Sequence, residues 1–172
     1  MCNNFGGNCM NINSEKILIK EFDEKDNFSE VFELSKDFFY EYAKNNEDFF
    51  GIDCLTEVDI KKYFDQFIGK ENNKAYIAKY ENAIIGHITL KINNQQNYWK
   101  VKKVGVISGL MVSKKYRKNG IGTKLVMKGI EYFRQNGVKY YTVFTSVNNL
   151  NGISLYKKCG FEELHINMLG RI

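Results

Sequence analysis

Apolar residues along this chain switch between three-to-four-residue spacing and short β-prone runs, and the order of the switches confines the fold. Ile17, Leu18 and Ile19 open with a β-prone run. Val31, Leu34, Phe38, Phe39 and Tyr42 then recur at helical spacing, with Asp23 or Asp26 available as a cap. A second helix is expected near Thr56, where Thr56-Glu57-Val58-Asp59 offers a cap and an acidic first turn. Its apolar face is Ile60, Tyr63, Phe64 and Phe67. KAYIAKY and AIIGHITLKI read as strands joined by a tight turn at Glu81-Asn82. A long strand over roughly 99–112 follows. Ile121, Leu125, Val126, Gly129, Ile130 and Phe133 outline a third helix, closed by Asn136-Gly137. VKYYTVFTSV carries few charges and is expected as a central strand; 151–158 is a short helix stopped by Gly160; FEELHINMLGRI is a final strand. The order β-α-α-β-β-β-α-β-α-β predicts a mixed α/β fold: a mostly antiparallel central sheet of about six to seven strands flanked by helices.

No repeat or linker interrupts that order, so residues 15–172 are expected to form one domain behind a flexible, Asn- and Gly-rich leader at 1–14. The absence of proline excludes collagen-like and proline-rich classes. No apolar run is long enough for a transmembrane helix, and the N-terminus has neither the basic nor the apolar part of a secretory signal. Cys2, Cys9, Cys54 and Cys159 contain no CxxC pair, so four free thiols in a reducing cytoplasm are expected, with no metal site.

Chemistry concentrates in GLMVSKKYRKNGIGTKL. A strand ends at Val112, a turn holds Lys114, Lys115, Arg117 and Lys118, and a helix begins near Gly120. Gly120 and Gly122 lack a Cβ, so backbone can approach a ligand, and the free N–H groups of a helix start point back at the turn. Donors, dipole and cations converging there suit a pyrophosphate, with Thr123 adding a hydroxyl. A solvated glycine turn is the plainer alternative. The spacing fits neither a P-loop, since Thr123-Lys124 follows Gly122, nor a dinucleotide fingerprint, since Leu125 stands where a third glycine belongs.

Arg117-x-x-Gly120-x-Gly122 resembles the acetyl-CoA loop of the GNAT N-acetyltransferase superfamily. Downstream, VNNLNGISLYKKCGF resembles that superfamily's second signature, with Asn149, Tyr156, Gly160 and Phe161 in the matching places. The resemblance covers roughly residues 16–169. It implies acetyl-CoA as donor and direct acetyl transfer to a primary amine in a ternary complex. It implies that the backbone of Leu110, Met111 and Val112 pairs with pantetheine. It also implies that Arg117, Lys118, Asn119, Gly120, Ile121, Gly122 and Thr123 cradle the pyrophosphate. Asn149 would contact the pantetheine arm, and Tyr156 would lie near the sulfur and protonate the leaving thiolate. Without the motif, Tyr156 reads as a core tyrosine.

The family's occasional fourth-strand glutamate base is Ser108 here, and its proline before the loop is Ser113. His87 on the third strand is a candidate base, against the alternative of a hydrogen-bonded strand histidine. Glu41, Glu47 and Asp48 are placed to attract a cationic amine or to form a solvated face. Only a short stretch follows Phe161, so the last strand is either truncated or completed by a neighbouring subunit in a homodimer. A small cationic molecule and a protein N-terminus both remain open as acceptors. A silent CoA-sensing module is the second reading. Nucleic-acid binding through KVKKVG and KKYRK is the third and weakest, because few aromatics accompany those lysines.

Charge divides along the chain. Residues 1–86 hold 10 Lys/Arg and 17 Asp/Glu, a net −7, and residues 87–172 hold 15 and 3, a net +12, which sum to the overall +5. The basic half carries both acetyl-CoA signatures and is expected to bind the polyanion; the acidic half is expected to face the amine.

Overall fold

The structure, a computed structural model, describes residues 10–172. Five strands form one sheet in the order β1-β2-β3-β4-β5: β1 Leu18–Glu21, β2 Asn73–Tyr80, β3 Ala83–Asn94, β4 Lys103–Val112 and β5 Tyr140–Val143. The first four pair antiparallel, and β4 pairs with β5 in parallel. Five helices flank them: α1 Phe28–Ala43, α2 Glu47–Phe50, α3 Glu57–Asp65, α4 Ile121–Gln135 and α5 Leu150–Lys158.

Each face of the sheet buries its own core, which makes three layers. On one face Ile85, Ile88, Leu90 and Ile107 pack with Leu125, Val126 and Phe133 of α4. On the other, Ile77, Ile84 and Met111 pack with Val31 and Leu34 of α1 and with Ile60 and Phe64 of α3. The expected faces of α1, α3 and α4 are therefore the ones that are buried. Thr56 and Asp59 form a reciprocal capping box at the start of α3. Glu81 and Asn82 both take positive φ, 49° and 71°, as a two-residue turn with two left-handed positions requires.

Several expectations change. The sheet has five strands, not six to seven, because no strand forms after α5. Leu164, Ile166 and Met168 alternate as a strand would, yet all three are exposed. Alternation supplies one apolar face, and a strand also needs a neighbouring backbone to take its N–H and C=O groups. With that strand absent, β5 is an edge strand rather than a central one. Residues 99–102 fall outside β4, with Trp99 exposed. Asn27 caps α1 by accepting from Ser29 N–H, whereas Asp26 is occupied by Lys20 and Lys79. The short α2 had no periodic signal to announce it.

The β3–β4 register slips by one residue. Thr89 faces Gly109 and Leu90 faces Ile107, so Ser108 is the extra residue of a bulge. Beyond it Gly109 and Met111 turn toward α1 and α3. Before it Gly105 lies under α4, where a Cβ would come within 2.7–2.8 Å of the Phe133 ring. Phe133 is fully buried and has no room to move aside. Gly105→Ala is therefore expected to destabilise the protein by about 1–3 kcal/mol in urea titration, with an unchanged m-value.

Candidate active site

β4 and β5 part company halfway along the sheet. β5 pairs with Val104 through Ile107 and then ends at Val143. β4 continues to Val112 and stays paired with β3 on its other side. The stretch 108–112 thus has one side without a strand partner, and it contains the expected Leu110, Met111 and Val112. Unpaired strand edges are templates for another extended backbone.

The chain then runs through a 3-10 turn at Lys114–Tyr116 into α4. Lys118 and Gly120 take positive φ, 63° and 75°, and Gly120 is the N-cap of α4 with no side-chain bond closing it. The first N–H groups of α4, from Ile121 onward, therefore lack intrahelical acceptors and face the turn. Gly120 has open space around its missing Cβ, so the backbone angle is what requires glycine there. Gly122 has a different reason. A Cβ would lie 3.0 Å from Leu155 Cδ2, so its smallness lets α5 pack on α4. Thr123 is exposed beside it.

Other expected residues are committed to the protein itself. Arg117 donates through Nη1 and Nη2 to the two Glu41 oxygens, both at 2.7 Å, and through Nε to Val112 O at 2.9 Å. Its guanidinium ties the end of α1 to the loop, and it holds the Glu41 carboxyl below the usual carboxylate range. Asn119 donates to Met10 O, Tyr116 O and Arg117 O and accepts from Ile12 N–H. Met10 N–H also reaches Lys115 O. Of the leader read at 1–14, Met10 and Ile12 thus touch the loop; residues 1–9, with Cys2 and Cys9, lie outside the described residues. Cys54 and Cys159 are free thiols.

Asn149 caps α5, accepting from Gly152 N–H at 3.1 Å and donating to Thr145 Oγ1 at 3.0 Å. Tyr156 sits on α5, half-buried against Phe161. Burial pushes its phenol up to about 12, so it is a proton-bearing donor at neutral pH. Phe161 in turn packs edge-on to Tyr141 of β5, with ring centroids 5.1 Å apart. The second signature thereby seats α5 against Tyr141 of β5 and, through Leu155, against the start of α4.

On the opposite face lies a cavity of about 80 Å³ that sequence reading did not find. Phe38 and Phe39 of α1 line it with Tyr63 of α3. Ser35 and His87 contribute polar atoms, and Ser108 and Gly109 bring in β4 at its bulge. Apolar spacing had marked Phe38, Phe39 and Tyr63 as core, and the cavity lies between them and the sheet where β4 bulges. Tyr63 Oη and Thr89 Oγ1 lie 2.6 Å apart. His87 is 3% exposed, its Nε2 lies 3.3 Å from Ser35 Oγ, and its Nδ1 has no partner among the described residues. Burial lowers its pKa to about 4, which leaves it neutral and a poor base for an ammonium near 10.4.

Among the described residues no group of three or more His, Cys, Asp or Glu is placed to hold a metal, and no helix is long and apolar enough to cross a membrane.

The model of the acetyltransferase (GNAT) family matches residues 28–161, and the chain belongs to that family. It is 28% identical over 104 residues to an uncharacterized N-acetyltransferase of Methanocaldococcus jannaschii, covering 60% of this chain and 46% of the relative. It is 30% identical over 95 residues to human N-alpha-acetyltransferase 30, covering 55% of this chain and 25% of the relative. The chain thus spans less than half the length of these two relatives. Its fold matches that of the aminoglycoside N-acetyltransferase AAC(6')-Iy solved with CoA, with a TM-score of 0.73 at 15% identity over 91% of this chain and 94% of the other.

The His87 environment sets a pH dependence. The unfolded imidazole takes a proton near 6.5, and the folded one resists until about 4. Stability therefore falls as pH drops through that window, by up to about 3 kcal/mol from this group. His87→Gln is expected to flatten the slope between pH 6.5 and 4 in denaturant titrations, relative to the parent protein. The lowered carboxyls of Glu41 and Asp59 lose stability equally in both proteins.

Proposed function

We propose that this member of the GNAT family is an acetyl-CoA-dependent N-acetyltransferase that moves the acetyl group directly to a primary amine. The observation that carries the reading is the open stretch of β4 followed, through the 113–120 turn, by the N-terminus of α4. Relatives named for N-acetyl transfer, and the likeness to a structure solved with CoA, support it.

The residues present fit such a cosubstrate. The 108–112 backbone offers hydrogen-bonding groups for the pantetheine arm, through Leu110, Met111 and Val112. The N–H groups of the 117–123 loop and helix start would take the pyrophosphate, with Lys118 and Thr123 beside them. Arg117 contributes its backbone and the loop's position, because its guanidinium is held by Glu41. Asn149 contributes by fixing the start of α5, the helix that carries Tyr156. When bound, acetyl-CoA supplies the thioester carbonyl that the amine attacks.

Magnitudes decide what Tyr156 does. A phenol near 12 facing a thiolate whose acid has a pKa of roughly 8.5 would lose about 5 kcal/mol by giving up its proton outright. Tyr156 Oη therefore keeps its proton and donates a hydrogen bond to the sulfur as negative charge builds there. His87 is buried and too weak a base to take a proton from an ammonium, so the amine would shed its two protons to solvent and the released thiolate would take one back from it.

Thiol release from acetyl-CoA, measured across a panel of primary amines, tests the reading. Turnover with at least one amine is expected. Stabilisation by CoA without turnover on any amine would instead identify a CoA-sensing module. Tyr156→Phe is expected to lower kcat about 10- to 100-fold while the Kd for acetyl-CoA stays within about twofold.

A further inference from the structure

The cavity under α1 and α3 has a chemical character of its own. Its aromatic lining comes from Phe38, Phe39 and Tyr63, and its polar lining from Ser35, His87 and Ser108, none of which carries a charge at neutral pH. None of the acidic residues expected to draw a cation, Glu41, Glu47 and Asp48, lines the cavity. Glu41 is paired with Arg117, and Asp48 with Arg171. Ser108, the bulge residue, is exposed, so the cavity meets solvent beside the stretch of β4 that β5 leaves open. His87 Nδ1, buried and unpartnered among the described residues, marks a polar atom in the lining with bonding capacity to spare.

Resting on the transferase reading above, we propose that this cavity seats the group that neighbours the acceptor's amine, and that this group is small and uncharged, an aliphatic or aromatic side group. An ammonium entering the cavity would lose its water without gaining a carboxylate, whereas an apolar group gains contact with three rings. The volume of about 80 Å³ holds only a few heavy atoms. Gly109 sets the limit on the sheet side, since a Cβ there would lie 3.0 Å from both Thr89 Oγ1 and Tyr63 Oη. The acidity of residues 1–86 is then a matter of internal pairing and solvated surface, and the acceptor is selected by shape and neutrality.

Two amines separate the cases: 3-methylbutylamine and 1,4-diaminobutane, similar in length and differing in whether the far end is apolar or charged. The kcat/KM for acetyl transfer is expected to be at least tenfold higher for 3-methylbutylamine. Phe38→Asp is expected to shift the ratio toward the diamine by tenfold or more. Ser108→Asp, at an exposed position that tolerates charge, is expected to shift it in the same direction and serves if Phe38→Asp unfolds. A diamine used as well as or better than 3-methylbutylamine, or a ratio that neither aspartate moves, overturns the inference and leaves the transferase reading standing. Transfer to neither amine passes the decision to calorimetry on the CoA-loaded protein. Binding of 3-methylbutylamine without binding of the diamine then supports the cavity's assignment, and failure to bind 3-methylbutylamine overturns it. The transferase reading itself falls only if no amine in the wider panel is acetylated.

Discussion

The divergence of β4 from β5 is the constraint on which the site depends. Inside a sheet each strand satisfies its neighbours, and a central strand has no backbone to spare. Here β4 is fully engaged by β3 and engaged by β5 only as far as Ile107. The bulge at Ser108 falls where that pairing stops, and bulges twist and bend the strand that carries them. The freed strand edge on the β5 side and the aromatic cavity on the α1 side thus meet at one local irregularity. The donor and acceptor ends of the proposed reaction meet across the same few residues.

Charge is organised around that gap in a less simple way than the halves of the sequence imply. The basic half does surround the turn and the start of α4. The cation expected to reach into the cradle, Arg117, instead spans the two halves by holding Glu41. This pair fixes the end of α1 against the loop, so the element lining the cavity and the element proposed to bind phosphate are positioned together. Asn119 acts similarly, bonding loop carbonyls and the segment at Met10 and Ile12. A binding loop whose side chains are spent on its own shape presents its ligand with backbone N–H groups, and these stay in place without further ordering.

Much of this was legible in the sequence because it is local. Apolar spacing exposed the buried faces of α1, α3 and α4. Thr56 was legible as a cap with an acidic first turn behind it, and Glu81-Asn82 as a tight turn. Gly120 and Gly122 were both read as room for a ligand, whereas the structure gives Gly120 a left-handed backbone and sets Gly122 against Leu155. What failed was whatever depends on a partner elsewhere in the chain. FEELHINM has the period of a strand and finds no strand to pair with. VKYYTVFTSV has the composition of a central strand and lies at the edge. The Ser108 bulge arises from pairing between two strands, and nothing in GVISGLMV alone reports it. Asp23 and Asp26 were the expected caps, but Lys20 and Lys79 hold Asp26 and the neighbouring Asn27 takes the role. His87 looked like a base by type, and only its burial removes it from that role.

The central claim is that the freed edge of β4 and the start of α4 together form the acetyl-CoA site. Amide hydrogen exchange with and without acetyl-CoA tests it most directly, because it reads the backbone groups proposed to bind. Exchange is predicted to slow across 108–112 and 117–123 on adding acetyl-CoA, with β1 and the outer part of β2 unchanged. Binding that leaves both stretches unprotected, or protects only another part of the molecule, would contradict the account.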